Sequence, residues 1–337
     1  MAIKKKTAVI AGGIAAIVLV ASGITAAVLT NSSGHTAEAA AREDATTVSE
    51  SGAVTFNLTP DQDRIRLDAV PEAVAAIKAS GFTPIEAGKL TVVTSPYAAP
   101  LGLYADDDAT LIGSDPDIAQ LIADGLGLEL NLQPAAWADW PLGIQSGKYD
   151  LITSNVTVTE ERKDVYDFAT YRQDLLGFYV KSDSAITEIS EAKDVAGLRI
   201  VVGSGTNQEK ILQGWDEENT ANGLKPVEFQ YFDDDAAATL AVQSGRADAT
   251  FGPNATAAYK AAVNGETRVV GTLNGGYPAN AAIAAGTKKG NGLIEAVGIV
   301  LNAAIDGGEY GEVLARWSLT SEAVEKSEVN PAGLPRS

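Results

Sequence analysis

A short block that occurs twice narrows the architecture of this chain more than any other feature. Ile144-Gln145-Ser146-Gly147-Lys148-Tyr149-Asp150 leads into Leu151-Ile152-Thr153, and Val242-Gln243-Ser244-Gly245-Arg246-Ala247-Asp248 leads into Ala249-Thr250-Phe251. In each block a helix ends at a glycine, which enters the left-handed cap conformation without a Cβ clash. A basic residue follows, and then an aspartate entering an apolar strand. This helix-to-strand turn belongs to α/β sheets, and its recurrence predicts two lobes of one construction; chance reuse of a common turn is the competing explanation. If the echo is structural, residues 154–157 and 252–255 face each other across a cleft. In open α/β sheets, ligands sit at such strand ends.

Strand-like and helix-like segments alternate around both blocks. In the first half they run 90–94, 117–127, 128–132, 140–146 and 151–154; in the second, 198–203, 206–218, 227–232, 236–244 and 249–251. The segment 176–181 reads as a strand crossing between lobes, with a return crossing near 276–279, a strand at 281–285 and a helix at 293–306. The organisation expected is a membrane anchor or signal segment at 1–30, a flexible linker at 31–54 and an extension at 55–88. Lobe 1 then comprises 89–180 with 277–337, and lobe 2 comprises 181–276. The extension holds one helix, 70–79, with Pro71 at its start and Ser80-Gly81 after it.

Lys4, Lys5 and Lys6 precede the uncharged run 7–30, whose 24 residues are long enough to cross a bilayer. The lysines keep that end in the cytoplasm. Ala37, Ala39 and Ala41 offer small-residue cleavage sites further on, so the segment is an uncleaved anchor or a cleaved signal. Either way the remainder is extracytoplasmic. Residues 31–54 are too rich in Ser, Thr, Ala and Gly to bury a core.

Composition removes whole classes of function. The 337 residues contain no cysteine, which excludes disulfides, thiolate metal sites and cysteine nucleophiles. The single histidine, His35, lies in the polar N-terminal stretch, so the folded body has no imidazole for a Ser-His-Asp triad or a metal. A formal net charge of -19 argues against nucleic acid. The partner expected is a small molecule or another protein, and the chain is expected to be a monomer, not an enzyme, with no cofactor and no metal.

Arg162 carries the clearest chemical signal. Thr159 is a good N-cap, and Glu160 and Glu161 suit a helix start, but Arg162 sets a cation where the helix dipole disfavours it. That placement suggests a held anion. The guanidinium fork matches a carboxylate bidentately, with the hydroxyls of Ser154 and Thr157 as further donors; pairing with Glu161 or Asp164 on a solvated face is the alternative. Gly203-Ser204-Gly205-Thr206-Asn207-Gln208 follows a strand and opens a helix, so its amides can receive an anion while Thr206 caps. Its glycine spacing fits neither a dinucleotide nor a triphosphate loop. Tyr97, Trp137, Trp140 and Tyr171 fall near strand ends and form a candidate pocket wall. Asp106-Asp107-Asp108 and Asp233-Asp234-Asp235 lack the alternation of calcium loops and read as turns and caps.

These features accumulate into a resemblance. Over residues 89–319 the chain resembles the polar-amino-acid-binding family of extracytoplasmic solute-binding proteins, the receptors of ABC importers. The motifs that carry it are Lys89-Leu90-Thr91-Val92-Val93-Thr94, Ile112-Gly113-Ser114-Asp115-Pro116-Asp117-Ile118-Ala119, Gln145-Ser146-Gly147-Lys148-Tyr149-Asp150, Thr157-Val158-Thr159-Glu160-Glu161-Arg162 and Gly205-Thr206-Asn207-Gln208. The resemblance implies a two-lobed, periplasmic-binding-protein-like α/β fold with two crossover strands and a ligand cleft between lobes. It also implies capture of an amino acid or related carboxylate-bearing metabolite by lobe closure, and presentation to an ABC permease. A dehydratase-like enzyme on the same scaffold and a membrane-anchored sensor are the alternatives.

By the same resemblance Arg162 holds the ligand carboxylate, beside Thr157 and Thr206. Ser154 and Asn155 line the ammonium side, Tyr97 stacks on the ligand and Trp137 forms the wall. Asn207 and Asn254 complete the expected ligand-binding set. Two positions depart from the family pattern: Pro253 stands where an aspartate meets the ammonium, and Ser95 replaces an acid that reads a basic side chain. Either neutral acceptors such as Asn254 and Asn155 bind the ammonium, or the ligand has no free primary ammonium.

Overall fold

The structure is a computed structural model that describes residues 46–48, 54–97, 99–232 and 234–336. The expected anchor or signal segment, 1–30, lies outside the described residues, as does most of the linker. Among the described residues no helix is long and apolar enough to cross a membrane.

The chain begins with a two-stranded ladder, β1 (Thr46–Val48) and β2 (Val54–Phe56), and helix α1 (Pro71–Ser80). Pro71 opens α1 without losing a hydrogen bond, and Gly81 ends it in the left-handed region. Next come β3 (Lys89–Thr94), a hairpin of β4 (Leu103–Tyr104) and β5 (Leu111–Ile112), α2 (Ser114–Gly125), β6 (Glu129–Pro134), α3 (Trp140–Ser146), β7 (Leu151–Thr157) and β8 (Tyr166–Gln173). The second half runs β9 (Leu175–Lys181), β10 (Arg199–Val201), α4 (Asn207–Ala221), β11 (Glu228–Gln230), α5 (Asp235–Gln243), β12 (Ala249–Pro253), α6 (Asn254–Asn264) and β13 (Thr267–Asn274). β14 (Ala282–Lys288), α7 (Ile294–Gly307) and α8 (Glu309–Arg316) close the chain.

Two five-stranded sheets result, ordered β6-β3-β7-β14-β8 and β11-β10-β12-β9-β13. They share one plan. In each, a first strand pairs in parallel with both neighbours (β3 with β6 and β7, β10 with β11 and β12), and the next strand in the sheet is antiparallel. That antiparallel strand is β14 in the first sheet, which the chain reaches only after completing the second, and β9 in the second sheet.

The repeated block explains part of this symmetry. Asp150 donates its N–H to the Thr91 carbonyl and accepts the Thr91 N–H on Oδ2 at 2.9 Å. Asp248 does the same to Arg199, accepting its N–H on Oδ2 at 2.8 Å. In both lobes the aspartate thus staples the incoming strand to the first strand of its sheet. Gly147 and Gly245, with φ 76° and 72°, make the preceding turn possible.

The crossings lie side by side. Asp174 alone separates β8 from β9, and residues 275–281 return the chain to the first sheet. Asp174 N donates to the Ala281 carbonyl at 3.1 Å, and Gly275 N donates to the Asp174 carbonyl at 2.8 Å. The sequence pattern places the first changeover at 180. β9 is instead hydrogen-bonded throughout to β12 and β13, which moves it to Asp174.

The first core lies between its sheet and α1, α2, α7 and α8, around the fully buried Trp317, whose Nε1 donates to Asp117 at 2.7 Å. In the second, Phe178 stacks on Phe251 with ring centroids 4.0 Å apart, and Trp215 covers Phe178. The extension inserts Phe56 between the halves, stacked on Trp317 at 5.8 Å and tilted against Tyr259 of α6 at 4.8 Å. α5 and α6 are built largely of alanine and cover their sheet thinly, with Ala238, Ala241 and Val242 forming a small separate cluster.

Candidate functional site

A cavity of about 1210 Å³ opens between the ends of β7 and β12 and takes its walls from both halves. Of the residues expected to bind ligand, Tyr97, Trp137, Ser154, Asn155, Thr157, Arg162, Thr206 and Asn207 line it; Asn254 does not. The segments following the two repeated blocks meet there, through Ser154, Asn155 and Thr157 on one side and Gly252 and Pro253 on the other.

β7 delivers Arg162. After Thr157 the chain turns, Thr159 Oγ1 accepts the Arg162 N–H at 3.1 Å, and one 3-10 turn (Arg162–Asp164) forms where the sequence suggested a longer helix. The guanidinium Nη1 donates to the Thr157 carbonyl at 2.7 Å, and its carbon lies 5.8 Å from the Trp137 ring centroid. Burial holds its pKa below the ordinary arginine value, against the pull of Asp174 and Glu161. The solvated pairing considered for Arg162 is not formed: Glu161 meets Lys210 of α4, and Asp164 meets Arg336 at 2.6 Å.

Behind this wall lies a polar network that sequence reasoning missed. Thr157 Oγ1 donates to the buried Asp174 at 2.6 Å, so this hydroxyl supports the wall and does not point its donor at a ligand. Burial raises the Asp174 pKa, opposed chiefly by the Thr157 hydrogen bond and by Arg172. Asp115, near the start of α2, is 2% exposed yet contributes to the cavity wall. Its Oδ1 accepts from the Tyr171 hydroxyl at 2.8 Å, and burial pushes its pKa up to about 6 against the pull of Arg172. Arg172 is itself buried and paired with Glu322. Asn155, at φ 51°, turns its Oδ1 to Arg172. Ser154 Oγ accepts the Ser95 N–H at 3.0 Å, while the buried Ser95 hydroxyl in the same wall has no hydrogen-bond partner among the described residues.

The second half supplies Thr206 as the N-cap of α4; its Oγ1 accepts from Glu209 N at 3.3 Å and donates to the Gly203 carbonyl at 2.6 Å. The glycine loop does hold an anion, but the chain's own: Gly205 N donates to Glu209 Oε2 at 2.6 Å. Asn207 gives its side-chain amide to the Gly275 carbonyl and so ties α4 to the return crossing. Asn254 accepts from the Tyr179 hydroxyl at 3.0 Å. Pro253 ends β12 at the cavity with its carbonyl accepting from Thr256 Oγ1 at 3.0 Å. Both neutral acceptors considered for an ammonium, Asn155 and Asn254, are thus engaged within the protein. A charged acceptor, Asp115, stands in the wall opposite.

A cleft between two sheets of equal plan, joined by paired crossings and armed with a cation at a strand end, defines a two-lobed α/β ligand-binding protein. The chain belongs to the bacterial extracellular solute-binding proteins, family 3, whose family model matches residues 90–320.

Relatives include the L-cystine-binding protein TcyJ of Escherichia coli (strain K12), 32% identical over 147 residues that cover 43% of this chain and 52% of that protein. The match therefore spans about half of that relative's length. The arginine-binding protein ArgT of Corynebacterium glutamicum is 24% identical over 270 residues, covering 80% of this chain and 86% of the relative. Among solved structures, a mutant of ArgBP from T. maritima superimposes with a TM-score of 0.61 at 26% identity, covering 73% of this chain and 99% of that one. An ancestral arginine-binding protein bound to arginine gives 0.60 at 26% identity, covering 68% and 98%.

Proposed function

We propose that this chain is the extracytoplasmic receptor of an ABC importer and captures an amino acid, or a closely related carboxylate-bearing metabolite, by closing its lobes on it. The observation that carries the reading is Arg162, a cavity-wall cation anchored through one N–H to Thr157 and flanked by Trp137. A fork with further donors facing a cleft binds a carboxylate in two parallel hydrogen bonds. Asp115 in the same wall takes the ammonium, a role that Pro253 cannot fill because proline offers no side-chain acceptor. The relatives named for cystine and arginine support the amino-acid class. Closure bends the chain at Asp174 and 275–281, since ligand contacts from both lobes favour the closed state. Export through the segment 1–30, as anchor or cleaved signal, belongs to this reading.

Calorimetry of the purified protein against the twenty amino acids and their N-acetyl and N-methyl analogues tests it. Saturable heat with one or a few free amino acids, without turnover of the ligand, is expected. Binding confined to the N-modified compounds would remove Asp115 from its role, and no binding to any carboxylate would refute the reading.

A further inference from the structure

The extension, residues 55–88, lies ahead of the residues 90–320 that the family model matches. It is tied to lobe 1 along its length. The Leu58 carbonyl accepts from Asp106 N at 2.9 Å, Arg64 Nη2 donates to the Leu111 carbonyl at 2.6 Å, and Arg66 grips both carboxylate oxygens of Asp124 at 2.6 and 2.7 Å. From α8, Arg316 donates to the Asp63 carbonyl and to Gln62 Oε1, each at 2.7 Å. This stretch therefore moves with lobe 1.

Phe56, at its start, touches both lobes. Its ring stacks on Trp317 of lobe 1, with centroids 5.8 Å apart, and tilts onto Tyr259 of lobe 2 at 4.8 Å. Tyr259 lies one helical turn beyond Ala255 on the same face of α6. Ala255 is 5% exposed and belongs to the first core, so α6 parts from lobe 1 there and carries Tyr259 outward on lobe 2. Rotation of lobe 2 about Asp174 and 275–281 moves Tyr259 relative to Trp317, and Phe56 then cannot keep both rings. The same arrangement of lobes pairs Glu161 of lobe 1 with Lys210 of α4. That ion pair is partly exposed and yields to salt, whereas the aromatic contact does not.

We propose that Phe56 is a latch: the extension, fixed to lobe 1, holds α6 of lobe 2 through Tyr259 and so favours the closed lobes before any ligand contact is made. This rests on the lobe closure read above and not on which ligand Arg162 holds.

The test is a distance measurement between spin labels on Leu142→Cys of α3 and Leu240→Cys of α5, in the ligand-free protein at high salt, where the Glu161–Lys210 pair is screened. The two leucines are 72% and 55% exposed, their helices line the cavity from opposite lobes, and the chain has no cysteine of its own to take the label. Phe56→Ala and Tyr259→Ala should each add a longer-distance population, lowering the ratio of closed to open by roughly two- to ten-fold, the worth of one aromatic contact. The double variant should go no further than either single one, because both remove the same contact. An unchanged distance distribution, or a shift in only one of the single variants, overturns the latch and leaves the Arg162 site standing. A shift to shorter distances would make Phe56 a prop that keeps the lobes apart, which is equally contrary. If Phe56→Ala loses Tm by uncovering Trp317, Tyr259→Ala alone decides, since it leaves the first core intact.

Discussion

Arg162→Met should separate binding from folding. Methionine keeps the apolar stem and removes the fork. With a carboxylate bound, truncating one partner of a buried charged pair costs about 2 to 5 kcal/mol, so affinity should fall by roughly thirty- to several-thousand-fold. The free protein should respond quite differently. It loses the hydrogen bond from Nη1 to the Thr157 carbonyl, worth about 1.5 to 3 kcal/mol for a charged donor, and about 0.5 to 1 kcal/mol of cation–π contact with Trp137. Against this, a guanidinium whose pKa is lowered first by burial no longer has to be desolvated, a relief of the same order. The net change in stability should be within about 1 kcal/mol, or a Tm shift within about 2 to 4 °C for a chain this size. Calorimetric titration with the cognate amino acid, beside thermal unfolding of the free protein, measures both. Unchanged affinity would remove Arg162 from the site. A large Tm loss would show that the fork holds the fold, contrary to the reasoning.

Asp115 has a folded pKa of about 6, above its unfolded value near 3.9, so the native state binds the extra proton and stability falls as pH rises. The contribution is full below pH 4, is lost through pH 6 and is limited to about 3 kcal/mol; Asp115→Asn should flatten that part of the pH–stability curve. Ammonium binding requires the ionised form, so amino-acid affinity should be weaker at pH 5 than at pH 7.5 in the wild type and lose this dependence in Asp115→Asn. Thr157→Val removes the hydroxyl that meets Asp174 and should cost about 1 to 3 kcal/mol in denaturant unfolding, because a buried carboxylate loses its donor. Gly275→Ala would place a Cβ 2.1 Å from Asp174 Cγ, and a Tm loss of several degrees is expected even though Gly275 lies outside the cavity lining.

The parts of the site that could be read from the sequence are those encoded in one stretch. Gly147 and Gly245 announce their turns because only glycine adopts that conformation freely, and the aspartates that follow them repeat one staple in both lobes. Arg162 stands out because a cation in a first turn conflicts with its neighbours. Asp115 gives no such signal: at the start of a helix it looks like any first-turn acid, and its buried place in the cavity wall follows from the fold, which sets Tyr171 of β8 beside it. Asp174 likewise acquires its importance from Thr157 and from the two crossings. The sequence does not fix the side of the boundary on which β9 falls, because an apolar strand reads the same in either sheet; its pairing with β12 and β13 does. The sequence shows that the glycine loop can receive an anion but not which one, and Glu209, in the first turn of α4, supplies it.

The hydrogen bond between Asp174 and Ala281 makes the intervening stretch, 175–280, an insertion whose two ends touch. A turn of two or three residues could therefore join 174 to 281 without disturbing β8 or β14, leaving four strands of the first sheet that follow one another and the fifth attached through the splice. Such a half-molecule would keep Arg162, Asp115 and their supporting network and lose α5 and α6. For protein engineering, the junction is also an entry port: a reporter domain with closely spaced termini, spliced in at 174 or 281, would sit at the pivot and convert lobe movement into a signal.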